Sequence, residues 1–400
     1  MRKSIYLDSN DFSDLSRPDD QLRPEDVVVL AALRSARDNG TARILLSPPL
    51  LSEAVHASET SKEFALRRAS LMRELCDRNF LRYPTDVCKL EFDQALSNTS
   101  VVKLSLDEIV SGDGQWFGND LDLQSLREIR LKTQQGLHER IDQQQLPRAE
   151  RRKLKSQLNL SKPASRRLLR QLLGNGSSNE PQNDFPLNLI DQNQFMAWLL
   201  GETTDFDLHE RLHAIISDPY ILFEHLVDMM GHREQLYNLV RGPGAKLSAS
   251  VERIGQNIIR LCRLATESNQ ELDPRDLADQ MVSKSFLREV AAPLSERQLD
   301  HLSDNDLRSL VQKCPSVSTL SHVIREYFYT YIQSNFTRFS QGNATPTKTK
   351  ISDFGDLMHV FYLPYVDIFR CDARFGEFLK SHKGLRHRVA SRREDILGML

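Results

Sequence analysis

The first 60 residues alternate between short apolar runs and helical patterns, and this alternation constrains the fold more than any other feature of the chain. Ser4–Leu7 and Ala42–Leu46 are apolar runs of strand length. A helical pattern over Pro24–Asp38 follows the first run and stops at Asn39-Gly40, and another follows the second run over 47–57. Strand, helix, strand and helix in this order predict an α/β unit with a parallel sheet.

The same alternation returns near the end of the chain, after a long stretch (62–339) with helical periodicity and almost no strand signal. The elements predicted there are a helix at Asp353–Tyr362, a strand at Val366–Phe369, a helix at Gly376–His382, a strand at Arg388–Ala390 and a helix at Arg393–Leu397. We therefore predict one α/β domain that is split between 1–85 and 345–400, around an all-helical insertion domain at 86–344.

Composition limits the class of protein. Of the 400 residues, 40% are hydrophobic and 27% are charged, so the chain can bury a sizeable core and is not disordered. A formal net charge of −2 excludes a uniformly basic coat, though not a local basic patch. No apolar run is typical of a signal peptide or a membrane helix, and the five cysteines lack a C-x-x-C pair. We expect free buried thiols in a cytoplasmic protein that has no membrane partner.

Four carboxylate residues lie at positions where parallel sheets usually bind their ligands. Asp8 and Asp372 follow predicted strands, and Glu53 and Asp356 lie near the starts of predicted helices. Ligands of open parallel sheets bind outside the carboxyl ends of the strands. Carboxylate oxygens that converge there suit Mg²⁺ or Mn²⁺, which can lower the pKa of a water molecule and neutralise a phosphoryl oxygen.

Three segments carry these carboxylates: YLDSND at Tyr6–Asp11, SPPLLSEAVHA at Ser47–Ala57 and DFGDLMHVFYLPYVDIFRCDARF at Asp353–Phe375. They resemble the three acidic blocks of the PIN-domain ribonucleases, over about a third of the chain. The resemblance implies a Rossmann-like, PIN-type α/β/α sandwich interrupted by the helical insertion. It also implies metal-dependent endonuclease activity, usually on RNA, with Mg²⁺ or Mn²⁺ as the cofactor.

The resemblance assigns roles residue by residue. The positions that match the family's metal-binding and catalytic carboxylates are Asp8, Glu53, Asp356 and Asp372. Residues expected to support them through hydrogen bonds are Ser9, Asn10, Asp353 and His359. Asp353 also competes with Asp356 for the third metal position, or it caps the helix. Arg370 stands where the family often has Thr or Ser, two residues before the last aspartate. Asp367 is expected to be a cap or a packing contact.

A second motif indicates a different chemistry. His209-Glu210-Arg211-Leu212-His213 matches H-E-x-x-H, in which two histidines one helical turn apart share Zn²⁺ and the glutamate acts as a base. Such a site needs a third ligand, and Glu224, His225 and His232 are the candidates, none of them marked by a motif. An amphipathic surface helix is the alternative interpretation.

The segment Arg148–Arg170 is strongly basic, with nine basic residues against Glu150 alone. Its candidate nucleic-acid contacts are Arg151, Arg152, Lys153, Lys155, Arg166, Arg167 and Arg170. Such a stripe binds a phosphate backbone, binds a protein partner or is a solvated face. The loop Asp113–Gly118 places Trp116 and Phe117 between glycines, as a stacking lid or as a hydrophobic anchor.

Three hypotheses follow. The leading one is a PIN-type endoribonuclease in which the insertion selects substrate or binds a regulatory protein, with DNA left open as a substrate. A role as a bacterial toxin or antiviral defence effector comes from family analogy alone. The second hypothesis is a non-catalytic PIN-like scaffold that binds RNA or protein. The third is a zinc peptidase built on the segment from His209 to His213.

Overall fold

A computed structural model shows a mixed α/β fold that is mostly helical and contains a small parallel sheet. The structure describes residues 2–55, 62–97, 100–111, 123–143, 147–149, 151–152, 189–190, 192–199, 201–228, 253–268, 273–281, 302–343, 345–347 and 357–400. Within them, no helix combines the length and the apolar character that crossing a membrane requires.

The chain divides into two compact units, which we call unit 1 (1–116 and 240–400) and unit 2 (117–239). Unit 1 therefore extends beyond the predicted split domain, because it includes 86–116 and 240–344, which the sequence analysis placed in the insertion. The reason lies in the packing, since helices from these stretches share one hydrophobic core with Tyr6 and Leu45 of the sheet.

The secondary-structure elements are as follows, in chain order. The strands are β1 (Lys3–Tyr6), β2 (Ala42–Leu45), β3 (Phe80–Leu81), β4 (Val110–Ser111), β5 (Ile368–Arg370) and β6 (Val389–Ala390). The helices of unit 1 that precede unit 2 are α1 (Ser9–Leu15), α2 (Pro24–Asp38), α3 (Pro48–Val55), α4 (Lys62–Cys76), α5 (Pro84–Ser97) and α6 (Leu106–Ile109). Those of unit 2 are α7 (Leu123–Gln143), α8 (Gln192–Leu199), α9 (Asp205–Ile216) and α10 (Pro219–Asp228). Unit 1 continues with α11 (Pro274–Met281), α12 (Asp304–Lys313), α13 (Pro315–Ser340), α14 (Ala373–Lys380) and α15 (Asp395–Met399).

The main sheet joins the two ends of the chain, as predicted. Its order is β2-β1-β5-β6 and all of its strands run parallel. In the register of β1 and β5, Ile5 faces Ile368 and Tyr6 faces Phe369. Because β1 lies between β2 and β5, the carboxyl ends of β1 and β5 meet at the same edge.

Sequence analysis missed the short antiparallel pair of β3 and β4. Each of these strands has only two residues, which is too short for an alternating pattern to show. The end of β2 connects to this pair through a parallel bridge between Leu46 and Phe80. Leu46 also accepts a hydrogen bond from the backbone N–H of Leu81 at 2.8 Å.

Two helix starts differ from the predicted ones, and the cause is the same in both. Helix α1 begins directly after Asp8, before the first helix that the sequence predicts, and the helix predicted from Gly376 begins at Ala373 as α14. In each case an aspartate side chain caps the helix at its first turn, which starts the helix earlier than hydrophobic periodicity indicates. The predicted helix at Asp353–Tyr362 is described only from 357, and it continues as a 3₁₀ helix over Val360–Tyr365.

Candidate active site

Asp8 lies two residues after the end of β1 and caps α1. Its backbone is extended, and its Oδ1 accepts hydrogen bonds from the backbone N–H of Asn10 at 3.3 Å and from the Ser9 hydroxyl at 3.2 Å. Ser9 and Asn10 therefore support the Asp8 carboxylate, and their predicted role around a metal stays a prediction. Tyr6 and Asp8 share one face of the strand, since side chains alternate along it.

Asp372 occupies the equivalent position after β5, again two residues beyond the end of the strand. It caps α14, and its Oδ1 accepts a hydrogen bond from the backbone N–H of Phe375 at 2.6 Å. Because the two strands are parallel neighbours, both aspartates come to the same sheet edge. The capping roles fix the carboxylates at this edge through one oxygen each.

The two aspartates line one small pocket. Its lining residues are Tyr6, Asp8, His359, Phe369, Arg370, Cys371, Asp372 and Phe375. Its cavity volume is about 20 Å³, which is room for about one water molecule. The pocket can therefore hold a single ion or one oxygen of a larger ligand, but it cannot enclose a nucleotide base.

Glu53 meets the wall of this pocket through His359. The histidine Nε2 lies 3.1 Å from Oε1 of Glu53, which projects from α3. His359 is buried, while about a fifth of the Glu53 side chain is exposed. The histidine predicted to support a metal-binding carboxylate thus contacts Glu53, and the pair connects α3 with the segment that precedes β5.

A buried chain of hydrogen bonds extends behind this pair. The Tyr6 hydroxyl lies 2.5 Å from Nδ1 of His359 and 2.5 Å from the Ser47 hydroxyl. Burial raises the pKa of Tyr6 well above its ordinary value, and the charges of Glu53 and Asp8 raise it further against the opposing hydrogen bond from Ser47. The phenol therefore stays protonated, and its hydroxyl joins the Ser47 hydroxyl to Nδ1 of His359 behind the contact between His359 and Glu53.

A second group of charges lies beside the pocket, and we call it the Arg393 network. It consists of Asp11, Asp14, Asp26, Arg23, Arg370 and Arg393. Arg393 contacts all three aspartates, at 3.0 Å for Asp11 and 2.7 Å for Asp14. With three acids and three arginines, the network carries no net charge.

Burial and ion pairing compete at the acids of this network. Burial raises the pKa of Asp11, although the charges of Arg370 and Arg393 oppose the rise. At Asp26, burial also raises the pKa, but hydrogen bonds from Arg23 and Arg393 outweigh it, so that this pKa lies below its ordinary value. The network is thus a buried ion cluster that fixes α1 and α2 to the last strand and helix.

The structure brings Asp8 and Asp372 into one pocket and Glu53 against its wall, whereas Asp353 and Asp356 lie outside the described residues. Within the described residues, no three or more His, Cys, Asp and Glu side chains form a group that could hold a metal ion. The donor chemistry of the pocket fits Mg²⁺ or Mn²⁺, because Asp8 and Asp372 supply hard oxygens. Since the neighbouring network is neutral, these two carboxylates match the charge of one divalent cation.

The Asp367 carboxylate lies at the opposite edge of the sheet, where β1 and β5 begin. Its Oδ2 accepts hydrogen bonds from the backbone N–H and the hydroxyl of Ser4, at 2.8 and 2.7 Å. The expectation of a packing contact is confirmed, because this bond pair joins the starts of β1 and β5.

The basic stripe of unit 2 is described only in part. Arg151 donates from Nη1 to the backbone carbonyl of Asp142 at 3.1 Å, and Arg152 is exposed. The other predicted contacts lie outside the described residues, namely Lys153, Lys155, Arg166, Arg167 and Arg170. The same holds for the loop at 113–118. The nucleic-acid role of the stripe stays a prediction.

The zincin-like motif lies on α9 of unit 2, a helix capped by Thr204. The rings of His209 and His213 are 6.0 Å apart between centroids, as expected for neighbouring turns. His225 lies 2.5 Å from the backbone carbonyl of Leu189 through its Nε2, and His232 lies outside the described residues. None of the described residues completes a three-ligand group with the two histidines.

Sequence reasoning did not assign a role to Tyr6 or to Ser47. Tyr6 precedes Asp8 by two residues, so the alternation of a strand could have placed its phenol beside the carboxylate. Arg370 relates to Asp372 in the same way at the end of β5. Comparison with protein-family models, with curated proteins and with solved structures finds no match.

Proposed function

We propose that the protein is a metal-dependent endoribonuclease of PIN type. The observation that carries the proposal is that Asp8 and Asp372, from opposite ends of the chain, line one pocket at the carboxyl edge of the parallel sheet. This edge is where open parallel sheets bind their ligands. The proposal includes the PIN-like sandwich, which the central position of β1 and the parallel pairing of all four strands support.

Each residue has a definite part in this proposal. Asp8 and Asp372 would hold Mg²⁺ or Mn²⁺ through carboxylate oxygens, and Asp356 would be the further ligand. A divalent cation supplies a water of lowered pKa and neutralises charge on the phosphoryl oxygens. Glu53 would support the site from α3, oriented by His359, whose Nε2 lies 3.1 Å from its carboxylate. The small pocket suits a phosphate of the RNA backbone. The proposed enzyme would therefore recognise its substrate through the phosphodiester group.

The test compares one substitution at three aspartates. Asp8→Asn and Asp372→Asn each remove one negative charge from the pocket, while Asp367→Asn makes the same change at the opposite edge of β5. We expect cleavage of single-stranded or structured RNA with Mg²⁺ or Mn²⁺ to fall about a hundredfold or more at Asp8 and Asp372, or ~3 kcal/mol in the activation barrier. Asp367→Asn should cleave at the rate of the parent.

The contrary results are equally definite. Cleavage by Asp8→Asn at the parental rate, or an equal loss at Asp367→Asn, would remove the pocket from the reaction. Loss of hydrolysis at His213→Ala instead, on peptide substrates, would favour the zinc peptidase. A parallel assay on single-stranded DNA separates the two nucleic acids.

A non-catalytic scaffold is the second candidate, and two contacts favour it. Glu53 already contacts His359, and the Arg370 guanidinium lies in the same pocket as Asp8 and Asp372, so that a protein group provides some of the positive charge that a cation would bring. A scaffold would bind RNA without cleaving it, and Asp8→Asn would leave that binding unchanged. The cleavage assay with the parent protein therefore decides between the two.

A further inference from the structure

Arg370 lines the pocket at a position where the family that the chain resembles often has Thr or Ser. It ends β5, two residues before Asp372, and it lines the same pocket as Asp8 and Asp372. Only 11% of its side chain is exposed. A charged group that is held at this depth beside two carboxylates needs a reason, because desolvating a guanidinium is costly.

The contacts of Arg370 within the protein do not use its full hydrogen-bonding capacity. Its Nε lies 3.3 Å from Oδ1 of Asp11 as an ion pair, and the same oxygen accepts a hydrogen bond from Arg393 at 3.0 Å. The buried Nε and Nη1 atoms of Arg370 make no hydrogen bond to any residue that the structure describes. A buried donor without an acceptor costs about 1–3 kcal/mol, so a ligand oxygen that accepts from this group is favoured.

We propose that Arg370 is the phosphoryl-binding group of the pocket, whose guanidinium donates to a phosphodiester oxygen while the Asp8–Asp372 pair holds the cation of the proposed function. A guanidinium presents a planar fork of donors that matches two oxygens of a phosphate, whereas Thr or Ser offers one hydroxyl. The identification of the ligand as a phosphodiester rests on the proposed function, and the geometry alone supports an oxyanion.

The position of Arg370 also explains how an anion can enter a site with two carboxylates. The Arg393 network is neutral as a whole, but only Arg370 among its arginines lines the pocket. Arg23 belongs to the same network and carries the same charge, yet its side chain is 53% exposed and contacts Asp14 and Asp26. Arg23 is therefore a matched control for a general electrostatic effect.

The experiment measures binding of inorganic phosphate by calorimetry, with Mg²⁺ present and no RNA. We expect saturable binding to the parent, a loss of roughly tenfold or more in affinity for Arg370→Gln, and an intermediate loss for Arg370→Lys, which keeps the charge without the fork. Arg23→Gln should bind phosphate within about twofold of the parent. A cooperative thermal unfolding transition will show that each variant is folded. If Arg370→Gln does not fold, the parent is compared with Arg370→Lys instead.

Three results would overturn the inference: no saturable phosphate binding by the parent, parental affinity in the Arg370 variants, or an equal loss in Arg23→Gln. The cleavage assay is independent of this one. If the parent fails to cleave RNA while phosphate binding still depends on Arg370, the oxyanion site stands and the nuclease proposal falls. If RNA is cleaved but phosphate binding does not depend on Arg370, the nuclease proposal stands and this inference falls.

Discussion

The pocket and the Arg393 network lie side by side, but their carboxylates have different kinds of partner. Asp11 and Asp26 are buried and paired with arginines, whereas Asp8 and Asp372 use one oxygen each as a helix cap. Among the described residues, no ion pair involves either cap. The comparison shows that neighbouring aspartates of one chain separate into an ion-paired class and a helix-capping class by the presence or absence of a guanidinium partner.

Removal of the central arginine should give the largest effect. Arg393→Met removes one of the two arginines that contact each of the buried aspartates Asp11 and Asp26, and breaking a buried pair in this way costs about 3–5 kcal/mol. We expect the free energy of unfolding, measured in urea, to fall by that amount. Arg23→Met, at a largely exposed member of the same network, should cost less than about 1 kcal/mol. Equal effects at both positions would show that burial does not govern the network.

A third kind of carboxylate sharpens the comparison. Glu91 of α5 is buried and accepts hydrogen bonds from the backbone N–H of Ser316 at 2.8 Å and from the Tyr365 hydroxyl. Burial raises its pKa to about 7, against these hydrogen bonds. The folded state therefore binds this proton more tightly than the unfolded state does. The resulting stability is complete below pH ~4.5 and is lost as the pH rises through about 7.

Glu91→Gln should remove that pH dependence. The parent is expected to lose up to ~3 kcal/mol of unfolding free energy between pH ~4.5 and 7, which urea titrations at several pH values will measure. The unfolding free energy of the variant should depend less on pH, and at pH 8 it should exceed that of the parent. Glu108→Gln is the control, because Ser105 lowers the pKa of that exposed carboxylate. A slope that persists in Glu91→Gln would assign the dependence to another group.

The buried chain behind Glu53 should give a smaller effect. Tyr6→Phe removes the hydroxyl that contacts both His359 and Ser47, and leaves a buried imidazole nitrogen without its hydrogen-bond partner, at a cost of about 1–3 kcal/mol. Tyr362 is also buried, but its hydroxyl makes a single bond to the backbone carbonyl of Arg82. Tyr362→Phe should therefore cost less in the same urea titration. A larger loss at Tyr362 would contradict a special role for the chain.

Asp8→Asn should have the smallest effect on stability, and of the opposite sign. Asn is nearly isosteric, and its carbonyl oxygen still caps α1, so little packing is lost. Removing one of two like charges in a pocket relieves repulsion, and the unfolding free energy without metal should hold or rise by less than about 1 kcal/mol. A loss of several kcal/mol would place Asp8 among the structural carboxylates with Asp11.

The sequence allowed the sheet and its edge to be predicted, but not the network. The strands at Ile5 and Ile368 are short, largely apolar segments that end at polar residues and alternate with helical patterns, which is typical of buried parallel strands. The ion pairs of Arg393 join residues from opposite ends of the chain, and no local pattern reports such a pairing. The same limit applies to Glu91, whose partners Ser316 and Tyr365 are distant in sequence.

The order of the strands in the sheet determines when a newly made chain can complete the pocket. The central strand β1 is synthesised first, but its neighbour β5 follows about 360 residues later. At ~5–20 residues per second, translation leaves β1 without that neighbour for roughly 20–70 s. Asp372 arrives only with β5, so a chain that stops before this strand cannot assemble the pocket. The split sheet thus delays any activity of the pocket until β5 has been synthesised.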